Sequence, residues 1–428
     1  MPATAARRLL TAVDTPPGPA GVTAVLAALP GALDGSGPAI APLPLPAAGP
    51  AGAHARAQRD AVRPDDPGSP LERDGVAVVV TTSGSTGAPR GVLLPGGSLL
   101  AAAVATHEVL GGPGRWIVAM PVTGVGGLMV LVRSVAGDVA PLVWPGVGGA
   151  APFTAASFAP VAREALTRRD ADGAPVYVSL VPTQLARLVD EAGEALDALA
   201  AFDHVLVGAA ALPADLRAAA TAAGVRLTST YGASETCGGV VYDGTPLPGV
   251  TVRLDPVDAT ASPGAATTGR ILIGGATLAA GYRLDPGLTA ATFVDGSLRT
   301  EDIGRLDVDG RLEVTGRLDD VVKVGGAKVS LPAVADALRT FVGVADAVAV
   351  PVPDPQWGSA VHAFVVLAGE RAGGPGTGAA VADRLRSHVI AVLGREAAPH
   401  AVHLVAALPL LPTGKVDRQA LLARAASG

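Results

Sequence analysis

The chain of 428 residues is poor in most of the features that mark narrow functional classes. A single cysteine, Cys237, excludes an intrachain disulfide framework and any multi-cysteine metal site. Aromatic residues make up 3%, so the 49% hydrophobic content is carried largely by alanine, valine and leucine. Apolar runs are short: the tract from Val122 to Val132 ends well before the roughly 18 residues a membrane-spanning helix needs. No membrane insertion is expected. The net charge is -6 with no block of like charge, which argues against nucleic-acid binding through a basic face. No His-x-x-x-His spacing occurs, and only His400 and His403 lie close together, so a zinc enzyme is not expected. The apolar run after Arg7 and Arg8 is cut by Asp14, Pro16 and Pro17 before a signal-peptide core can form, which predicts a cytoplasmic protein.

Lysine is scarcer still. Of the 32 basic residues other than histidine, only Lys323, Lys328 and Lys415 are lysines. A compact ammonium on a flexible stem is not replaced well by a planar guanidinium, so lysines that survive among so many arginines are candidates for chemistry, chance survival being the competing reading. What is abundant is glycine, 55 residues, and proline, 37, which with the apolar content suits a folded, loop-rich protein of about two or three domains.

The N-terminal 70 residues predict a short helix near Thr23 to Leu29 and a loop from Pro42 to Pro70. Val76 to Val80 is a continuous apolar run of the length of a buried strand. Strand-like runs at 116–120, 176–180 and 204–207 then alternate with helical patterns at 155–168, 183–192 and 212–223, which predicts an α/β domain with largely parallel strands. After about residue 250 short strands and glycine-rich turns predict an antiparallel β subdomain. From Leu331 the order helix, two strands at 345–352 and 362–366, helix at 381–393, strand predicts a small α+β domain.

Immediately after the Val76 strand comes Thr81-Thr82-Ser83-Gly84-Ser85-Thr86-Gly87-Ala88-Pro89-Arg90-Gly91. Glycines let backbone approach a ligand closely, the hydroxyls donate to phosphate oxygens, and Arg90 adds positive charge. A Walker loop is excluded, because the Gly-Lys-Ser/Thr ending is missing and Pro89 stands where its helix would start. Such a run taken alone also fits a flexible loop.

Residues 82–91 resemble the Thr-Ser-Gly-Ser-Thr-Gly-x-Pro-Lys-Gly signature of the adenylate-forming superfamily of acyl-CoA synthetases, peptide-synthetase adenylation domains and luciferases. Four further stretches are similar to its motifs and follow in order: Tyr231-Gly232-Ala233-Ser234-Glu235, Arg299-Thr300-Glu301-Asp302, Gly316-Arg317-Leu318-Asp319-Asp320 with Lys323, and Pro412-Thr413-Gly414-Lys415-Val416-Asp417-Arg418. The resemblance implies a large N-terminal domain, residues 1–317, of α/β layers with a β subdomain. A small mobile α+β domain, 318–428, would pivot near Asp319. It implies ATP, Mg²⁺ and CoA as reactants: a carboxylate attacks the α-phosphorus, pyrophosphate leaves, and a thiol then displaces AMP. Thr82, Ser83, Gly84, Ser85, Thr86, Gly87 and Arg90 would hold phosphates; Gly208, Ala209, Ala210 and the Tyr231 ring would lie against adenine, and Gly232 and Ser234 would bind ATP. Asp302, a pure acceptor with two oxygens, suits the two ribose hydroxyls. Glu235 suits magnesium, which takes one or two carboxylates beside phosphate oxygens. Arg317 and Lys415 would contact the nucleotide and the reacting groups, while Lys323, Gly325 and Gly326 would line the thiol channel.

Residues 131–134, 178–185 and 234–250 are more narrowly similar to the o-succinylbenzoate-CoA ligases of menaquinone biosynthesis. Ser179, Thr183, Gln184 and Gly239 are the implied pocket for an aromatic carboxylic acid; Ser179 and Thr183 also fit as caps of a strand and a helix. Three departures are visible: Arg90 for Lys, Glu301 for Gly, and no histidine in Met120 to Gly127, where that ligase family usually has one. Another aryl or acyl acid-CoA ligase, a carrier-loading adenylation enzyme and an inactive scaffold of this fold are the competing expectations. A homodimer is compatible with the sequence.

Overall fold

The computed structural model describes residues 8–46, 49–83, 88–256, 268–318, 320–368, 377–409 and 416–426. The chain divides into two compact units. One comprises Met1–Asp255, Ile271–Thr300 and Leu306–Glu313; the other comprises Pro256–Arg270, Glu301–Arg305 and Val314–Gly428.

The larger unit carries the expected α/β layers. A seven-stranded sheet has five parallel strands, in spatial order Leu227–Ala233, His204–Val207, Val176–Leu180, Arg115–Val118 and Leu142–Val143, extended by the antiparallel strands Gly238–Tyr242 and Thr245–Pro246. A second sheet orders Leu10–Thr15, Ala39–Pro44, Val76–Ser83, Pro89–Pro95 and Gly281–Tyr282. Its strand Val76–Ser83 is apolar throughout its first half because both faces are covered. Val78 and Val80 join the main core, while Val76 and Val79 join a satellite core with Leu43, Val62 and Leu71. Helices Gly96–Leu110 and Val125–Ala136 pack against each other, and the second contacts the seven-stranded sheet. The Val122 to Val132 tract is thus mostly a helix buried in protein, and no helix among the described residues is long and apolar enough to cross a membrane.

The segment expected to be a loop from Pro42 to Pro70 is instead the end of strand Ala39–Pro44 followed by helix Gly49–Val62. That helix has few large apolar residues and a run of polar ones, so its period was hidden. Its attachment to the sheet comes from small or short side chains such as Ala55 and Val62. Past residue 250, antiparallel strands appear as predicted, including Phe293–Val294 paired with Ser297–Leu306.

In the smaller unit, strands Val344–Asp354 and Gly358–Leu367 form a long antiparallel pair, and Ala401–Leu404 adds in parallel. Alternation decides the two faces. Ala347, Ala349, Val361 and Val365 pack with Val334, Leu338, Leu385 and Val389 of helices Leu331–Arg339 and Thr377–Leu393. Val348, Val350 and Phe364 pack with Leu421 and Ala425 of helix Arg418–Ala426.

Candidate active site

Parallel strands all finish at one edge of a sheet, and in open α/β sheets ligands bind outside the carboxyl ends. The strands ending at Leu180, Val207 and Ala233 carry the predicted residues to that edge: Thr183 and Gln184 after the first, Gly208, Ala209 and Ala210 after the second, Tyr231, Gly232, Ser234 and Glu235 at the end of the third and just past it. Gly239 lies opposite Gly232 on the neighbouring antiparallel strand.

The glycines are fixed by contact. A Cβ on Gly208 would meet the Thr230 hydroxyl at 2.3 Å, one on Gly239 would meet Thr230 Cβ at 2.9 Å, and one on Gly232 would meet the Gly238 carbonyl at 2.1 Å. Thr230 therefore sits between the predicted adenine segment and the predicted acid pocket; sequence reasoning missed it because nothing about a threonine in a strand marks it. Ala209 adopts φ 70, a left-handed conformation that costs an L-residue about 1 to 2 kcal/mol. Ser179 is buried in its strand and Thr183 is exposed in the first turn of helix Pro182–Glu191. Thr183 is not that helix's cap. Gln184 makes the cap, its Oε1 accepting from the Val181 amide at 3.1 Å while its Nε2 donates to the Ala119 carbonyl at 3.1 Å. Its amide holds the wall of the edge in place.

The strand Val76–Ser83, which leads to the expected phosphate loop, pairs antiparallel with Pro89–Pro95, with Thr82 opposite Arg90 and Ser83 opposite Pro89. Pro89 thus begins a strand, Pro89–Pro95, where a Walker loop would begin a helix. Gly84, Ser85, Thr86, Gly87 and the Ser83 side chain lie outside the described residues. Arg90 and Gly91 line a cleft of about 270 Å³ with Arg63, Tyr282 and Asp285. The strand Gly281–Tyr282 pairs with Val92 and Leu93, and Arg283 beside it is fully buried. The Arg283 guanidinium donates to the carbonyls of Val62, Ser69 and Pro70 and to Glu72, so it ties 62–72 to the hairpin.

Tyr282 is the second residue that sequence reasoning missed. Its hydroxyl donates to Glu235 Oε1 at 2.8 Å, and the Glu235 carbonyl accepts from the Ala279 amide at 2.8 Å. Burial, then the neighbouring Glu235 charge, push the Tyr282 phenol far above its ordinary value, with Arg90 acting in the opposite sense. The phenol stays protonated and stays a donor. Glu235 is part-buried, and no cluster of three or more His, Cys, Asp or Glu side chains suited to a metal occurs among the described residues. One carboxylate fits magnesium held mainly by phosphate oxygens and waters, and does not fit an all-protein cage. Cys237 is wholly buried, which raises its thiol pKa and removes it as a nucleophile.

Within the smaller unit, Arg317 Nη1 meets Asp302 Oδ1 at 2.8 Å, so the expected nucleotide arginine and the expected ribose acceptor are neighbours. Lys323 and Lys328 face each other across the hairpin Val321–Val324 and Ala327–Ser330, both exposed. Gly325 and Gly326 form its two-residue turn with φ 57 and 93, the double positive φ that such hairpins favour. Trp357 closes over this turn: its carbonyl accepts from the Gly325 amide at 3.0 Å, and a Cβ on Gly325 would meet its ring at 2.6 Å. Asp320, buried, is ion-paired with Arg418, three residues beyond Lys415. Asp319 and Lys415 themselves lie outside the described residues.

Residues 20–283 match the AMP-binding enzyme family and residues 333–415 match the AMP-binding enzyme C-terminal domain. A probable 2-succinylbenzoate–CoA ligase of Mycobacterium tuberculosis (strain CDC 1551 / Oshkosh) is 39% identical over 82% of this chain and 85% of its own. Among solved structures, an amide bond synthetase from Marinactinospora thermotolerans aligns with TM-score 0.71 and 24% identity over 98% of this chain and 90% of that one. The o-succinylbenzoate CoA synthetase of Bacillus subtilis, in complex with its acyl-adenylate intermediate, aligns with TM-score 0.70 and 22% identity over 98% and 89%. At those identities the structural likeness establishes the fold, α/β with a large N-terminal and a smaller C-terminal part. By sequence along most of its length, the chain belongs to the AMP-binding enzyme family.

Proposed function

We propose that the chain is an ATP-dependent 2-succinylbenzoate–CoA ligase of menaquinone biosynthesis. The observation that carries the enzyme class is the convergence of Gly208–Ala210, Tyr231–Glu235 and the acid-pocket candidate Ser179 at the carboxyl ends of adjacent parallel strands, with Gly239 beside them on the neighbouring antiparallel strand. The substrate is supported by the 39% identity to the mycobacterial relative, which covers most of both chains.

The substrate carboxylate attacks the α-phosphorus of ATP, the bond to pyrophosphate breaks, and an acyl-adenylate forms. The CoA thiol, losing its proton, then attacks the acyl carbon and AMP leaves with the bonding electrons. Most of the catalysis is positioning and neutralisation of developing negative charge. In this reading Thr82 to Gly87 and Arg90 cradle phosphates, Tyr231 meets adenine, and Asp302 accepts from the ribose hydroxyls with Arg317 beside it. Lys415 reaches the carboxylate and the α-phosphate. Mg²⁺, when bound, neutralises phosphate charge; Glu235 is the residue that would hold it. Ser179, Thr183 and Gly239 line the acid pocket, with Gln184 bracing its wall. We assign residues 1–317 and 318–428 as the two domains, with Asp319 the pivot between the two half-reactions and Lys323, Gly325 and Gly326 entering for the second. A cytoplasmic location suits the supply of ATP and CoA, and a homodimer is the assembly we propose to check by light scattering.

The test is pyrophosphate release from the purified chain with ATP and Mg²⁺ against o-succinylbenzoate, benzoates and medium-chain fatty acids, with and without CoA. CoA-dependent turnover on o-succinylbenzoate is expected. Preference for another acid would keep the mechanism and discard the pathway, and activity only with a carrier protein would reassign the thiol.

A further inference from the structure

We propose that Tyr282 is a metal-specificity residue: by holding one oxygen of the Glu235 carboxylate, it forces single-oxygen coordination and so selects a small divalent cation. The inference rests on the reading of Glu235 as the metal ligand and deepens it. Tyr282 donates to Oε1 at 2.8 Å, and Oε2 carries no hydrogen bond among the described residues. A carboxylate that chelates through both oxygens must turn both towards the ion, whereas one tied at Oε1 presents Oε2. Mg²⁺ takes carboxylates through one oxygen in a near-ideal octahedron at about 2.0 to 2.1 Å, while Ca²⁺ is larger and accepts bidentate carboxylates readily.

The phenol is built to stay where it is. Its own amide donates to the Thr289 hydroxyl at 2.9 Å, its strand pairs with Val92 and Leu93, and the next residue is the buried Arg283. Its ring lies 5.9 Å from that of Phe293, tilted against it. The Glu235 side of the contact is fixed as well, through the hydrogen bond from the Ala279 amide. A strand end and a helical turn distant in sequence are therefore locked so that a hydroxyl faces a carboxylate.

The experiment uses the full chain with a non-hydrolysable ATP analogue. Bound Mn²⁺ is followed by electron paramagnetic resonance and displaced with Mg²⁺ or Ca²⁺, which yields the ratio of their affinities. Tyr282→Phe is expected to shift that ratio towards Ca²⁺ by roughly fivefold or more, since the freed oxygen can join the larger ion. An unchanged ratio, or equal weakening of both ions, would overturn the proposal, because a merely structural tyrosine would move both together. If Tyr282→Phe does not fold, Glu235→Asp, which withdraws the carboxylate from the hydroxyl, reads the same ratio. Glu235→Gln separates the two layers of the argument: Mn²⁺ binding that survives it intact sinks the metal role of Glu235 itself, whereas loss of binding there with an unchanged ratio in Tyr282→Phe sinks only the role of the tyrosine.

Discussion

The two units hold their candidate residues by different means. In the larger unit the site edge is made of backbone and contact: Gly208, Gly232 and Gly239 have no space for a side chain, and Glu235 is gripped by a buried tyrosine. In the smaller unit the corresponding residues stand on charge pairs that are open on one side. Arg317 is half exposed beside Asp302, and Arg418 is half exposed although its partner Asp320 is buried. Packing tolerates almost no change of shape, whereas a half-exposed ion pair is screened by water and salt. On the function proposed, the larger unit would hold its ligand in one geometry, and the smaller one would present charges whose local placement can be adjusted.

The largest expected effect is chemical. Lys415→Ala should lower acyl-adenylate formation on the order of 10² to 10³-fold, the scale of losing one donor to developing negative charge, while thioester formation from supplied acyl-adenylate is spared. Equal loss in both half-reactions would remove Lys415 from its assigned step. Next comes Arg418→Ala, which leaves Asp320 buried without its cation. Removing one partner of a fully buried pair costs roughly 3 to 5 kcal/mol; with Arg418 half exposed, about 2 kcal/mol is expected after screening. Hydrogen exchange followed peptide by peptide reads this directly, with faster exchange in Val344–Asp354 and Gly358–Leu367 and none of the increase in Val176–Leu180. Uniform acceleration would show that the pair is not a local support of the smaller unit.

Legibility in the sequence was uneven within the larger unit itself. The parallel strands of the larger unit were readable because burial on both faces writes a continuous apolar run, as in Val76 to Val80. Helix Gly49–Val62 was not, because alanine, glycine and polar residues blur a 3.6-residue period. The motifs singled out Glu235, Gly232 and Asp302 as candidates, since glycine and acidic residues in a fixed order carry chemical meaning. Thr230 and Tyr282 were invisible for a different reason: each acts through a partner brought near only by strand pairing. Tyr282 meets Glu235 across 47 positions of sequence, and no local pattern encodes that. Gln184 adds a contact of the same kind: beyond capping its own helix, its amide reaches the Ala119 carbonyl 65 positions away.

Ala209→Gly offers a smaller test of how tightly the larger unit is drawn. Ala209 has φ 70, where a Cβ is disfavoured and glycine is not. Relief of that strain is worth about 1 kcal/mol, partly offset by the extra freedom glycine gives the unfolded chain. A rise in unfolding midpoint in urea, with the slope unchanged, is expected; a fall would mean that the methyl group makes a contact worth more than the strain.

The smallest effect is a pH dependence, and the smaller unit is where a histidine pair allows it to be tested. His362 and His403 lie 3.2 Å apart between ring nitrogens. Both have pKa values below the ordinary 6.5, His362 through burial and then the nearby His403 and His400, His403 through burial and then Arg424. Because the folded pKa lies below the unfolded one, the unfolded chain binds more protons in the window just under pH 6.5, and stability must fall as pH drops through it. Hydrogen exchange of Gly358–Leu367 and Ala401–Leu404 should accelerate between pH 6.5 and 5, after correction for the intrinsic exchange rate. His403→Gln should flatten that slope, since it removes one titrating ring and its charge on the other. His107 and His204 of the larger unit are lowered by burial too and titrate in the same sense, so their strands and helices supply the internal comparison. A slope in the smaller unit that survives His403→Gln unchanged would place its acid sensitivity elsewhere than in the histidine pair.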